Sequence, residues 1–235
     1  MNERITESNV NKFGDDGCLK QNERGTYVQD KIVLPWLRRL PTSPSGVLDL
    51  AAGQGIEAQF ISEQGMSCTA IEPSAFLRKN SYYRHIKNGS VATLDFPQNS
   101  FGGVLLKDAL IFIPPDDREK MMSSVRRLLV GGGSFLIISE QNSTLRIRYV
   151  PNGSQYPQSE AYDWESVKDH WQEAIAETAK SGKIYGIEYV ATVECVMRLA
   201  QQYGFNVSAY EYSVAHQIAQ ENRWVQKAGF VAEIH

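Results

Sequence analysis

Apolar positions along this chain follow two rhythms. Runs of strand length recur at 47-VLDLA-51, 67-SCTAI-71, 90-SVATL-94, 101-FGGVLL-106 and 134-SFLIIS-139, and stretches of helical spacing lie between them. In 55-GIEAQFISEQG-65 the residues Ile56, Phe60 and Ile61 share one face, and Gly65 is placed to end the helix. In 116-DDREKMMSSVRRLLVGGG-133 acids open the segment at the positive helix end, Met121, Val125, Leu128 and Leu129 line one side, and glycines stop it. Strands alternating with helices in this way predict a parallel sheet covered by helices. Upstream, residues 24–39 predict an amphipathic helix that leads through 41-PTSPSG-46 into the first strand. Downstream the rhythm breaks. The stretch 140-EQNSTLRIRYVPNGSQYPQSE-160 has no sustained period and predicts a long insertion or mobile loop. Segments 161–182 and 188–204 predict helices, and 205-FNVSAYEYSV-214 and 223-RWVQKAGFVAEI-234 predict an antiparallel hairpin at the sheet edge.

A length of 235 residues, 42% hydrophobic and 22% charged, suits one main domain with a small cap. No apolar run is long enough to span a bilayer, and residues 1–12 lack the apolar core of a signal peptide, which points to a cytoplasmic protein away from membranes. Cys18, Cys68 and Cys195 are too scattered for a disulfide frame or a zinc site. A net charge of −3 with no dense basic cluster argues against nucleic acid and favours small-molecule substrates or proteins.

The chemistry concentrates at 49-DLAAGQG-55, a strand end followed by a glycine turn that opens a helix. Glycine lets a backbone approach a ligand closely and tolerates positive φ. The segment 53-GQGIEA-58 even fits the G-x-G-x-x-A dinucleotide fingerprint, so a nicotinamide-dependent oxidoreductase is one reading. Asp49 argues the other way, because a carboxylate ahead of the glycines suits a cationic amine and repels a pyrophosphate. Glu72, ending the next strand, is placed to accept from ribose hydroxyls. Asp95 in 94-LDF-96 is placed to accept from an adenine amino group, with Leu94 or Phe96 against the ring.

With these residues in this order, the chain resembles the class I S-adenosylmethionine-dependent methyltransferases over residues 47–139, through 47-VLDLAAGQG-55, 70-AIEPS-74, 94-LDF-96, 101-FGGVLLKDALIFIP-114 and 126-RRLLVGGGSFLI-137. The resemblance implies an α/β, Rossmann-like, doubly wound seven-stranded sheet of order 3-2-1-4-5-7-6 with strand 7 antiparallel, carrying helical cap elements. It implies S-adenosyl-L-methionine as methyl donor and S-adenosyl-L-homocysteine as product. Gly53 and Gly55 would border the methionine and ribose, Asp49 the amino group, Glu72 the ribose, Asp95 the adenine, and Lys107 to Ala109 the sulfonium. Ala51, Pro73 and Phe96 join the cofactor-lining set, and Tyr27 on the first helix is a candidate lid. Two departures narrow the chemistry. Ala51 stands where the family often has glycine, and no Asn/Asp-Pro-Pro-Tyr/Phe tetrapeptide follows the fourth strand, which speaks against nucleobase amines.

Methyl transfer is an in-line displacement in which alignment supplies much of the rate, so a base is needed only for a protonated acceptor. The candidates are Asp108 at the mouth of the fourth strand, Glu140 at the end of the fifth, and His170. Two of them also have a plain structural role available: a turn cap for Asp108, and a surface helix position for His170. Arg146 and Arg148 alternate along 145-LRIRYV-150 and are placed to hold an acceptor's carboxylate or phosphate. Tyr156 and Trp164 belong to an aromatic group suited to a pocket wall, or to a packed cap. No Asp/Glu/His cluster suggests a metal. The expected organisation is one methyltransferase domain, with 1–45 as N-terminal helical cap, 46–139 as cofactor-binding core, 140–190 as substrate-cap insertion and 191–235 as C-terminal helix and strands. Direct methyl transfer to O or N of a small metabolite is the function expected. A non-catalytic partner-binding protein on the same fold is the remaining alternative, and a homodimer is left open.

Overall fold

The computed structural model describes residues 28–218 and 223–235. Two sheets organise them. The first holds β1 (Val47–Leu50), β2 (Cys68–Ile71), β3 (Ile86–Lys87), β4 (Phe101–Lys107), β5 (Leu129–Glu140), β9 (Val207–Ile218) and β10 (Arg223–Ile234) in the order β3-β2-β1-β4-β5-β10-β9. Neighbours from β3 to β5 run parallel, and β10 runs antiparallel to both β5 and β9. Counting β9 and β10 as the sixth and seventh strands, this is the 3-2-1-4-5-7-6 order with the seventh reversed, as the resemblance implied. Continuous burial of β1 and of all but the last residue of β4 explains why their sequences read as apolar runs: helices cover both faces.

The helices are α1 (Leu34–Leu37), α2 (Ile56–Glu63), α3 (Ala75–Lys79), α4 (Pro115–Leu128), α5 (Trp164–Val167), α6 (Trp171–Ser181) and α7 (Val193–Gln202). On one face Val33, Trp36 and Leu37 pack with Ile61, Leu105, Leu136 and Ile138. Trp36 is anchored there by its indole N–H, which donates to Ser134 Oγ at 2.6 Å. Its ring lies so close to Gly103 that a Cβ there would meet Trp36 at 2.7 Å. On the other face α4 lays Met121, Met122, Val125 and Leu128 against Val104, Leu106 and Ile137. The first helix departs from a simple α-helix: Gln29–Val33 form a π turn ahead of α1. Pro35 sits in the first turn of α1 and has no N–H to give to the preceding turn, which leaves the α pattern incomplete there.

Three expectations need correction. Residues 90–94 are not the third strand. Ser90 draws the chain into a turn, accepting from the Ala92 amide and closing on Thr93 N through its carbonyl, while β3 lies upstream at Ile86–Lys87 and pairs with Ala70 and Ile71. The glycines 131–133 do not stop the helix, which already ends at Leu128. β5 already begins at Leu129, opposite Phe101, and the glycines absorb a register shift before Ser134 pairs with Gly103.

The third correction is the largest. Residues 140–160 are not an unpatterned loop: β6 (Thr144–Pro151) and β7 (Gln158–Asp163) join β8 (Gly182–Glu188) in a separate antiparallel sheet of order β7-β6-β8. The cap is therefore a sheet with helices, not helices alone. Alternation is the cause, since Leu145, Ile147 and Tyr149 are buried while Thr144, Arg146 and Arg148 face the other side. Their face packs on Val167 of α5 and Ile175 of α6, together with Ile187 of β8 and Tyr189 just after it, a second small core separate from the main one. The segment expected as one helix at 161–182 is broken because Asp163 ends β7 and caps α5, its carboxylate accepting from Ser166 N at 3.1 Å.

Candidate functional site

The glycine turn leaves β1 with three residues in the left-handed region: Ala51 at φ 52°, Gly53 at φ 57° and Gly55 at φ 75°. The two glycines are required for different reasons. A Cβ on Gly55 would lie 2.7 Å from Tyr83 Cβ and 2.8 Å from Ile86 Cδ1, so Gly55 serves packing against the chain ahead of β3. A Cβ on Gly53 would meet nothing within 4 Å, so its bare Cα faces open space. Ala51 accepts a backbone conformation that usually costs a non-glycine residue about 1 kcal/mol or more.

Glu72 locks this turn from the neighbouring strand. Its Oε2 accepts from Gly53 N at 2.9 Å and its Oε1 from Ser74 N at 2.8 Å, with the side chain buried. Burial raises its pKa despite those two amides and the nearby Arg78. Pro73 follows, partly buried, and Arg78 Nη1 donates to the Glu72 carbonyl at 2.7 Å.

Asp49 is only 2% exposed, and its Oδ2 has no hydrogen-bond partner among the described residues. Its pKa is raised well above the carboxylate range, first by burial and then by the negative charges of Glu57 and Glu72, against the pull of Lys107. Glu57, on the first turn of α2, is buried beside it. Lys107, at the end of β4, donates to Asp108 Oδ2 at 2.9 Å and approaches Glu57 Oε1 to 3.3 Å, near enough for the charges to attract although Glu57 Oε1 lacks hydrogen-bond geometry. Burial works against the lysine's charge, yet Asp108 and Glu57 hold its pKa above the usual range. The floor thus packs Asp49, Glu57 and Asp108 around the Lys107 ammonium, with Glu72 close to Asp49 and an orphaned Asp49 oxygen that a ligand's cationic amine would satisfy. Glu57 was not foreseen from sequence; its place two residues after Gly55 reads as ordinary helix polarity, and only the fold sets it against Lys107.

Of the expected bases, Asp108 and Glu140 share one edge of the sheet. Asp108 sits at φ 55° with its amide donating to Ile138 O at 2.8 Å, two residues before Glu140. His170 lies elsewhere, exposed at the break between α5 and α6, where it N-caps α6 with no side-chain hydrogen bond to the helix. Asp95 is exposed in the segment after β3, while Phe96 packs edge-to-face on Phe101 at 5.3 Å. Arg127 from α4 fixes that turn by donating to Phe96 O at 2.6 Å and Leu94 O at 2.9 Å. Arg146 and Arg148 both reach Glu188 on β8: Arg146 Nη1 is 3.5 Å from Oε2, and Arg148 Nη2 bonds Oε1. Trp164 packs against the small core of the cap, and Tyr156 is 71% exposed on the β6–β7 turn. Tyr27 lies outside the described residues.

The sheet order, the glycine turn and the acids at successive strand ends define the class I methyltransferase architecture. Residues 48–137 match the family model described as a methyltransferase domain, and the chain carries a class I S-adenosylmethionine-dependent methyltransferase domain. None of the curated proteins compared matches the chain. Among solved structures it is similar to a SAM-dependent methyltransferase from Leishmania major (12% identity, 99% of this chain and 80% of that one, TM-score 0.61). It is similar to one from Methanosarcina mazei (14% identity, 87% and 96% covered, TM-score 0.59). It is also similar to the 1,6-didemethyltoxoflavin-N1-methyltransferase of Burkholderia thailandensis, solved with 1,6-didemethyltoxoflavin and S-adenosylhomocysteine (18% identity, 99% and 88% covered, TM-score 0.59). No helix among the described residues is long and apolar enough to cross a membrane.

Proposed function

We propose that this methyltransferase acts on O or N of a small cytoplasmic metabolite held between the 46–139 core and a cap built from residues 1–45 and 140–190. The observation that carries the cofactor half is the orphaned Asp49 Oδ2 in a desolvated, acid-rich floor beside the open face of Gly53. Asp49 would meet the amino group and Gly53 the methionine backbone. Glu72 orders the loop, and Asp95 and Phe96 stand toward the adenine. Bound S-adenosylmethionine supplies a methyl on a positively charged sulfur, open to displacement by the acceptor's lone pair. Lys107 and Asp108, at the edge where β4 ends, would orient the acceptor, with Glu140 beside them to take a proton where the acceptor carries one.

The acceptor half is supported by the cap, whose own core lets it stand as a cover, and by the small molecule named with the Burkholderia thailandensis structure. Arg146 and Arg148, sharing one carboxylate, favour an acceptor with an anionic group, and Trp164 and Tyr156 border the cap.

Calorimetric titration with S-adenosylhomocysteine and with NAD, followed by a tritiated-methyl assay over a panel of phenols, amines and carboxylic acids, tests both halves. Binding of NAD without S-adenosylhomocysteine would sink the reading. Cofactor binding with no labelled small molecule, but label in protein or nucleic acid, would move the acceptor out of this class.

A further inference from the structure

Arg118 is a buried charge that no carboxylate accompanies among the described residues. It lies in the first turns of α4, is 5% exposed, and spends its guanidinium on three main-chain carbonyls: Nε on Ile113 O at 2.8 Å, Nη2 on Leu110 O at 2.7 Å, and Nη1 on Val190 O. Burial lowers its pKa to about 10. Such an arrangement is expensive to desolvate, so the three carbonyls it joins matter.

Leu110 and Ile113 bound the turn that follows Lys107 and Asp108 at the end of β4. Val190 belongs to the neck of the cap, where the chain leaves it. The neck has further fastenings at the same place. Tyr189 N donates to Ile111 O at 2.7 Å, Asn142 and Ala191 exchange main-chain hydrogen bonds at 2.9 and 2.6 Å, and Asn142 Nδ2 donates to Tyr189 O at 2.8 Å. Tyr189 continues into the cap core, edge-to-face with Trp171 at 5.5 Å. Both chain crossings of the cap, at 142 and at 189–191, are thus tied together, and Arg118 and Ile111 tie them to the floor.

We infer that Arg118 is a positioning residue: its guanidinium fastens the neck of the cap to the turn after β4, so that the floor carrying Lys107 and Asp108 and the cover over the acceptor keep one separation. A single planar group with donors pointing in several directions can hold three carbonyls at once; lysine, with a point charge on a flexible stem, cannot reproduce that geometry. The functional consequence rests on the reading of 140–190 as the acceptor's cover, and the fastening itself does not.

Amide hydrogen exchange on the full chain, with and without S-adenosylhomocysteine, tests it. In Arg118→Met the amides of Tyr189 and Ala191 should lose protection by about tenfold or more, while those of β1 and β4 stay within about threefold of wild type. Arg118→Lys should fall between the two, and millimolar guanidinium, but not equimolar sodium, should restore protection in Arg118→Met. Asn142→Ala, which removes a different tie, should loosen the same two amides without guanidinium rescue. Uniform loss of protection across neck and core would make Arg118 a general stabiliser and overturn the proposal, as would unchanged exchange at the neck or absence of rescue. Failure of wild type to bind S-adenosylhomocysteine would count against the cofactor assignment and leave the neck measurement intact.

Discussion

The floor and the cap solve opposite problems. At the floor, β1 and β4 bury their side chains on both faces and deliver Asp49 and Lys107, with Glu72 from the end of β2, into a space shielded from water. In the cap, β6 separates its chemistry by side: Leu145, Ile147 and Tyr149 go to a small core, while Arg146 and Arg148 neutralise Glu188 on the other face. A floor with an unsatisfied buried carboxylate is built for a partner and is destabilised without one. A cap whose Glu188 is already paired needs no ligand to satisfy it and can select among acceptors only by what its remaining charge and shape allow.

The sharpest way to break this comparison is at the glycines. Gly55→Ala should destabilise the protein by roughly 2–4 kcal/mol, from overpacking on Tyr83 and Ile86 and a strained φ, read by urea unfolding. Gly53→Ala should cost only about 1 kcal/mol of stability while weakening S-adenosylhomocysteine by tenfold or more, as calorimetry would show; equal effects of the two would erase the distinction between a packing glycine and a ligand-facing one. In the cap, Leu145→Ala removes a fully buried side chain and should cost about 2–4 kcal/mol locally, with loss of hydrogen-exchange protection in β6–β8 and unchanged cofactor affinity.

Asp49→Asn is the most informative intermediate case. The folded pKa of Asp49 is raised, so the folded protein holds that proton more tightly than the unfolded chain does. The stability this confers is present below the ordinary carboxylate range and is lost as pH rises through it toward the folded value. The melting temperature of Asp49→Asn relative to wild type should therefore climb between pH 4 and 8 in the absence of cofactor, while its S-adenosylhomocysteine affinity drops by about tenfold or more, the loss expected on removing a charged hydrogen-bond partner. A difference in melting temperature that stays flat with pH would show that Asp49 is already ionised at no cost. The smallest effect is expected from Arg146→Ala, which breaks a half-exposed ion pair of 3.5 Å and should change stability by less than about 1 kcal/mol, visible only as a weaker KM for an anionic acceptor.

The alternation of strands and helices in the main sheet could be read from the chain because β1 and β4 are buried on both faces and leave uninterrupted apolar runs, whereas the strand order followed only from the resemblance carried by the glycine turn and the acids after it. Two things escaped. The 90–94 run looked like a strand because Val91 and Leu94 are apolar, and they are indeed buried, but in a turn that Ser90 closes. The cap sheet escaped because β6 and β7 alternate over few residues and are interrupted by Pro151, Asn152, Gly153 and Pro157, so that polar and turn residues outweighed the period-two signal of 145-LRIRYV-150. Expecting Arg146 and Arg148 on one face was sound; that Glu188, some forty residues away, lies across from them was visible only in the strand register.

By itself, the sequence determined the class of the protein: local patterning sets the strand and helix alternation, and Gly53 and Gly55 together with Asp49 and Glu72 at strand ends carry the resemblance on which the proposed donor site rests. Only the tertiary structure decided which glycine faces open space and which faces Tyr83, that Glu57 and Lys107 meet near Asp49, and that Arg118 reaches across seventy-two positions to Val190. The physical reason is that propensity and period act over a few residues, whereas the desolvation of a buried charge is set by whatever distant groups the fold happens to bring within hydrogen-bonding distance.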